Sequence, residues 1–134
     1  GAGDMNISNS GDGKLTNKAA LSNKENGDIA ITNTGAKGAE IAGTITNANG
    51  NTSINNANGL TYTASLTNTG GNTSVINSGD ANMSGTISNA GGSTTITNSD
   101  GKLDSKDAML IIGAAKKLIK LYMKQKKQNL AKKI

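Results

Sequence analysis

The chain repeats itself. Residues 51–71 (NTSINNANGLTYTASLTNTGG), 72–92 (NTSVINSGDANMSGTISNAGG) and the opening of 93–113 (STTITNSDGKLDSKDAMLIIG) align at a spacing of 21, and 28–50 (DIAITNTGAKGAEIAGTITNANG) lies over them with two extra residues. Three apolar columns keep register: Ile7, Ile31, Ile54, Val75, Ile96; then Leu21, Ile45, Leu66, Ile87; then Ile41, Tyr62, Met83. Self-similarity at a fixed period of this size is the mark of an architecture built by stacking one supersecondary unit on the next. Within each unit the apolar residues sit in short alternating segments such as Thr44-Ile45-Thr46 and Ser65-Leu66-Thr67, the pattern of strands with one face buried. Clusters of Asn and Gly separate them and are expected to supply the positive φ of tight turns.

Two architectures fit this pattern. In an antiparallel meander each Asn-Gly would close a hairpin. In a parallel β-helix each repeat is one coil, stacked about 4.8 Å from the next. Stacked coils bring like residues over like, and the chain repeats not only its aliphatics but also Asn33, Asn56, Asn77, Asn98 and Asn47, Asn68, Asn89. Side-chain amides in such columns can hydrogen-bond along the stack, so the reading favours an all-β parallel β-helix, or β-solenoid, of about five coils over residues 1–110. One aliphatic per strand suits a narrow tube.

Composition narrows the chemistry. Asn, Thr, Ser and Gly make up nearly half of the 134 residues, and there is no Cys, His, Pro, Phe, Trp or Arg. That removes thiol and imidazole catalysis, zinc sites and disulfides, and also base stacking and bidentate base readout, so no nucleic-acid partner is expected. The acids Asp28, Glu40, Asp80 and Asp100 fall at unrelated repeat positions, without the paired geometry that general acid–base work requires. The chain is read as not an enzyme. No apolar run reaches the length of a membrane span, and no charged-then-apolar leader opens the sequence. Because it starts in mid-repeat, it reads as a piece of a longer protein.

The Asn/Thr/Gly-rich coils with one aliphatic per strand resemble the shaft repeats of filamentous-haemagglutinin-type exoproteins, the large adhesins and toxins of two-partner secretion in Gram-negative bacteria. The resemblance covers about residues 5–110 and lies in repeat style and composition. It implies a right-handed helix, export to the cell surface, and a mechanical role holding an adhesive tip away from the cell. A host receptor or glycan would then be met through the parent protein. Some large adhesins of this group carry sugars at Asn-x-Ser/Thr triplets, which occur here at Asn6, Asn51, Asn72 and Asn82.

Charge divides the chain. Residues 1–100 carry seven acids and four lysines, whereas 101–134 carry ten lysines against Asp104 and Asp107. In this tail Ile111, Ala115, Leu118 and Tyr122 follow helical spacing, with Lys116, Lys120, Lys124 and Lys127 on another side and Lys117 beside them. Ser105 or Asp104 could cap such a helix, and the lysines near its carboxy end suit its dipole. A C-terminal amphipathic α-helix is therefore predicted within 111–134, best formed over 106–124. Three roles stay open for it: covering the end of the solenoid, associating with another copy, or binding an anionic membrane surface through Lys116, Lys117, Lys120, Lys124 and Lys127. Self-association is expected to be end to end or helix-mediated if the chain is not a monomer.

Two further patterns carry chemistry. The stretch 98–107 resembles one calcium loop of the dockerin or EF-hand type, with Asn98, Asp100, Asp104 and Asp107 at the third, fifth, ninth and twelfth loop positions and Gly101 at the sixth. The first position, normally Asp, is Ile96, and no second loop accompanies it; repeat sequence alone accounts for the turn equally well. Thr44/Thr46, Ser65/Thr67 and Thr86/Ser88 form an outward hydroxyl ladder similar to those of ice-binding solenoids, although outward strand positions favour Thr in any case.

Overall fold

The computed structural model describes residues 3–98 and, as backbone strands, 110–113 and 117–121. Four complete coils of three strands each follow one another. The first holds β1 (Met5–Asn9), β2 (Leu15–Asn17) and β3 (Leu21–Asn23); the second β4 (Ile29–Asn33), β5 (Ala39–Ile41) and β6 (Ile45–Asn47). The third holds β7 (Thr52–Asn56), β8 (Leu60–Tyr62) and β9 (Ser65–Asn68); the fourth β10 (Thr73–Asn77), β11 (Ala81–Met83) and β12 (Thr86–Asn89). Beyond these come β13 (Thr94–Asn98), β14 (Leu110–Gly113) and β15 (Lys117–Leu121). The strands form three parallel sheets, β1-β4-β7-β10-β13-β15, β2-β5-β8-β11 and β3-β6-β9-β12-β14. Every pairing joins a strand to its counterpart one coil away, and all are parallel. The hairpins of a meander are therefore excluded, and the chain is a β-solenoid.

Register reproduces the sequence columns. Ile7 pairs with Ile31, Ile31 with Ile54, Ile54 with Val75, and Val75 with Ile96. Leu21, Ile45, Leu66 and Ile87 form the matching column of the third sheet, and Ile41, Tyr62 and Met83 that of the second. From the second coil onward these side chains are almost wholly removed from water, each contributing about 1.5–3 kcal/mol. The tube is lined on all three sides, so a strand slipped by one residue would turn its aliphatics out to solvent.

The corner glycines have a different purpose from the one predicted. Among the described residues positive φ occurs only at Gly27, Gly38 and Gly59, whereas Gly50, Gly71 and Gly92 have ordinary backbone angles. These three stack with Gly27 at the corner leading into the first sheet. A Cβ on Gly50, Gly71 or Gly92 would run into the carbonyl of the glycine one coil below. Glycine is required here for close approach between coils.

The helix expected within 111–134, best formed over 106–124, is not among the described residues: the two described stretches of that range, Leu110–Gly113 and Lys117–Leu121, are strands, and the rest lies outside them. β14 pairs with β12 and β15 with β13, setting Ile111 on Ile87 and Ile119 on Ile96. The physical reason is the edge that β12 and β13 would otherwise present. β14 and β15 hydrogen-bond to the strands that would otherwise form that edge. Strand pairing in the first and third sheets extends to β15 and β14, and in the second sheet to β11.

The glycine column yields a direct test. Gly71→Ala, whose methyl would overlap the Gly50 carbonyl, should destabilise by about 1–3 kcal/mol in a denaturant titration. Gly13→Ala, with open space around the added methyl, should be neutral or slightly stabilising. Equal effects would show that the corner does not depend on close packing.

Candidate functional site

The densest arrangement of polar chemistry lies inside the tube. Asn9, Asn33, Asn56, Asn77 and Asn98 end the strands of the first sheet, point inward and stack in register. Asn9 Nδ2 donates to Asn33 Oδ1 at 2.8 Å, Asn33 Nδ2 to Asn56 Oδ1 at 2.7 Å, Asn56 Nδ2 to Asn77 Oδ1 at 2.8 Å, and Asn77 Nδ2 to Asn98 Oδ1 at 3.4 Å. All the amides point the same way. A chain of aligned dipoles in a low-dielectric interior strengthens its own bonds. The same amide groups also close the corner: Asn56 Nδ2 donates to the Gly59 carbonyl and Asn77 Nδ2 to that of Gly79. In register the position above Asn98 belongs to Leu121, and Asn98 Nδ2 has no hydrogen-bond partner among the described residues.

The second asparagine column behaves differently from the ladder expected of it. Asn47, Asn68 and Asn89 are buried, but each Nδ2 donates across the next corner, to the carbonyls of Asn51, Asn72 and Ser93 at 2.9–3.0 Å. Asn47 and Asn68 also reach the Thr52 and Thr73 hydroxyls. Both columns supply donors to turn carbonyls, but only the first also bonds amide to amide along the stack.

A further ladder, missed in the sequence, runs outside this corner. Asp4 Oδ1 accepts from the Asp28 amide N–H, Asp28 Oδ1 from Asn51, Asn51 Oδ1 from Asn72, and Asn72 Oδ1 from Ser93, at 2.8–3.0 Å. Its signal in the sequence is an Asp or Asn immediately before β1, β4, β7 and β10 and a Ser before β13, a column of mixed residue types.

Tyr62 is the one aromatic side chain in the described tube. It is fully buried, its hydroxyl donates to the Thr86 carbonyl at 2.8 Å, and a Cβ at Gly85 would press against its ring. Burial pushes its phenol above the ordinary value.

The residues singled out for binding fare unequally. Of the calcium set, Asn98 is buried and its Oδ1 accepts from Asn77, so that oxygen is already engaged in the ladder. Asp100, Asp104 and Asp107 lie outside the described residues, and among those described no three acids gather in a cluster that could hold a metal. Of the lysines, Lys117 and Lys120 fall in β15, while Lys116, Lys124 and Lys127 lie outside the described residues. The hydroxyl ladder is in register, with Thr46 on Thr67 and Thr67 on Ser88, and Thr86 Oγ1 lies 3.3 Å from Ser65 Oγ. Asn6, Asn51, Asn72 and Asn82 are all exposed. The outward positions of the first sheet from β1 to β13 and of the third from β3 to β12 hold no charged residue; Glu40, paired with Lys14 at 3.2 Å, lies on the second sheet. No described helix is long and apolar enough to cross a membrane.

Two measurements test these assignments. Asn56→Ala leaves Asn33 Nδ2 and Asn77 Oδ1 buried without each other's link and should cost at least about 2 kcal/mol. Asn55→Ala, exposed on the same strand, should change stability by less than about 0.5 kcal/mol. For Tyr62, the folded chain holds the phenolic proton more tightly than the unfolded chain. Stability is then complete below the ordinary phenol value of about 10 and falls above it, by at most about 1.4 kcal/mol per pH unit. Melting temperatures across the alkaline range should show this fall, and Tyr62→Phe should remove it.

Searched against known proteins, the chain matches no family model, no curated protein and no solved structure.

Proposed function

We propose that the chain is a non-catalytic structural segment of a secreted, cell-surface bacterial exoprotein, a β-solenoid shaft on which the parent protein carries its adhesive contacts. The reading takes the helix as right-handed, as the resemblance to filamentous-haemagglutinin-type shafts implies, and leaves recognition of a host receptor or glycan to the parent. The observation that supports it is the parallel register that each described strand keeps with its counterpart one coil away, over three sheets from β1 to β12. Polar side chains that a binding site would offer to a ligand are spent instead on tying one coil to the next. Asn33, Asn56 and Asn77 are each bonded to both neighbouring coils.

The rival is a membrane- or anionic-surface-binding module acting through the basic tail. It requires an amphipathic helix, and the two described stretches of that tail are strands joined to the solenoid's own sheets. Co-sedimentation of the full chain with anionic and with neutral vesicles, at low and high salt, separates the readings. The shaft reading expects the chain to stay in the supernatant with both. Salt-sensitive pelleting with anionic vesicles alone would replace it with the rival.

A further inference from the structure

Three Asn-Gly steps occur in the sequence, at Asn26, Asn49 and Asn58. Of these, Asn49-Gly50 and Asn58-Gly59 lie at corners with a complete described coil on either side, so their surroundings can be compared. Asn49 is exposed and stands where the next two coils have Gly70 and Gly91. At those corners the preceding asparagine holds the glycine amides. Asn68 Oδ1 accepts from the Gly71 N–H, and Asn89 Oδ1 from the Gly91 and Gly92 N–H groups, all at 3.3 Å. At the Asn49 corner the equivalent bond is missing: Asn47 Oδ1 is buried without a partner, and no acceptor takes the Gly50 N–H among the described residues. The Asn49 side-chain amide makes no hydrogen bond there either. Asn58 is held differently. Its Nδ2 donates to the Gly35 carbonyl of the coil below at 3.1 Å, and Gly79 of the coil above packs over the Gly59 nitrogen.

We propose that Asn49-Gly50 is a site of spontaneous covalent modification, at which the folded chain converts Asn49 through a cyclic imide into a carboxylate residue, with water as the co-reactant. Hydroxide takes the Gly50 amide proton, and the nitrogen attacks Asn49 Cγ. The new N–Cγ bond closes a five-membered ring while the Cγ–Nδ2 bond breaks, and ammonia leaves with a proton from water, which restores the hydroxide. Water then opens the ring, giving its hydroxyl to one carbonyl carbon and its hydrogen to the ring nitrogen. Opening at Cγ yields aspartate; opening at the main-chain carbonyl yields isoaspartate, whose chain runs through Cβ and Cγ. Nothing is oxidised or reduced. The two groups consumed, the Gly50 N–H and the Asn49 amide nitrogen, are the two that this corner leaves unbonded, so ring closure breaks no hydrogen bond of the fold. Glycine after Asn49 adds no side chain to hinder the attacking nitrogen. At Asn58 the same ring would have to give up the bond to Gly35 and move a nitrogen covered by Gly79. The product places a second charge among residues 41–98, which otherwise hold only Asp80. Isoaspartate also adds one main-chain atom where Gly50 abuts the Gly27 carbonyl.

Peptide mapping by mass spectrometry tests this on the folded full chain, incubated in mildly alkaline buffer made with heavy-oxygen water. Asn49 should gain a carboxylate bearing one heavy oxygen about fivefold or more faster than Asn58, the factor that one retained hydrogen bond implies. In denaturant the two Asn-Gly steps should react at similar rates, because the fold no longer distinguishes them. Asn49→Gly, which copies the residue found at the next two corners, should keep the circular dichroism of the wild type and form no acidic species from this corner on isoelectric focusing. The proposal is overturned if Asn58 reacts as fast as Asn49 in the folded chain, if Asn49 stays unconverted there, or if the difference between the two sites persists in denaturant. A carboxylate at Asn49 without heavy oxygen would overturn it as well.

Discussion

The spacing between hydrogen-bonded parallel strands governs the rest of this molecule. Once each strand pairs with the strand one coil earlier, every residue must tolerate a residue of the same position about 4.8 Å above it. Few side chains do so well. Aliphatics stack into a continuous core, amides donate and accept along the column, and glycine lets two backbones approach where a methyl would collide. Buried ionised groups would repel their own counterparts, and residues 41–98 accordingly contain one charged residue, Asp80, at an exposed corner. The composition that looks like low complexity is a consequence of this stacking rule.

That rule also explains what could be read from the sequence. The aliphatic columns were legible because repetition at 21 residues admits one parallel registration, and Ile54, Val75 and Ile96 lie in it as expected. The ladder from Asn33 to Asn98 was legible for the same reason. The second asparagine column was recognised, but its partners were not: Asn47, Asn68 and Asn89 donate across a corner and not to one another. Sequence spacing carries no such information. The corner glycines were legible as glycines and misread in purpose, since close approach and positive φ leave the same letter.

The tail shows where periodicity fails. Ile111, Ala115, Leu118 and Tyr122 satisfy helical spacing, while LIIG and KLIKL are equally short apolar runs of the kind that periodicity cannot assign. In the described stretches tertiary pairing is what is seen: β14 and β15 lie on the hydrogen-bonding edges of β12 and β13, with Ile111 in register with Ile87 and Ile119 with Ile96. Of the calcium reading, the described part is Asn98, and the same stacking places its side chain in the interior as the last amide of the ladder. Its resemblance to a loop ligand came from a motif counted along the chain, whereas its surroundings are set by the coil below.

Two physically different surfaces follow. Between residues 41 and 98 the outer faces are flat, hydroxyl- and amide-bearing and almost free of charge, so any contact they make depends on short-range hydrogen bonds and shape. Residues 101–134 concentrate ten lysines against two acids, and contacts made there act over a screening length and weaken as salt rises. The sum, a chain of net charge +5, describes neither part. Contacts made by the faces between residues 41 and 98 should therefore persist in high salt, whereas contacts of the lysine-rich segment should weaken.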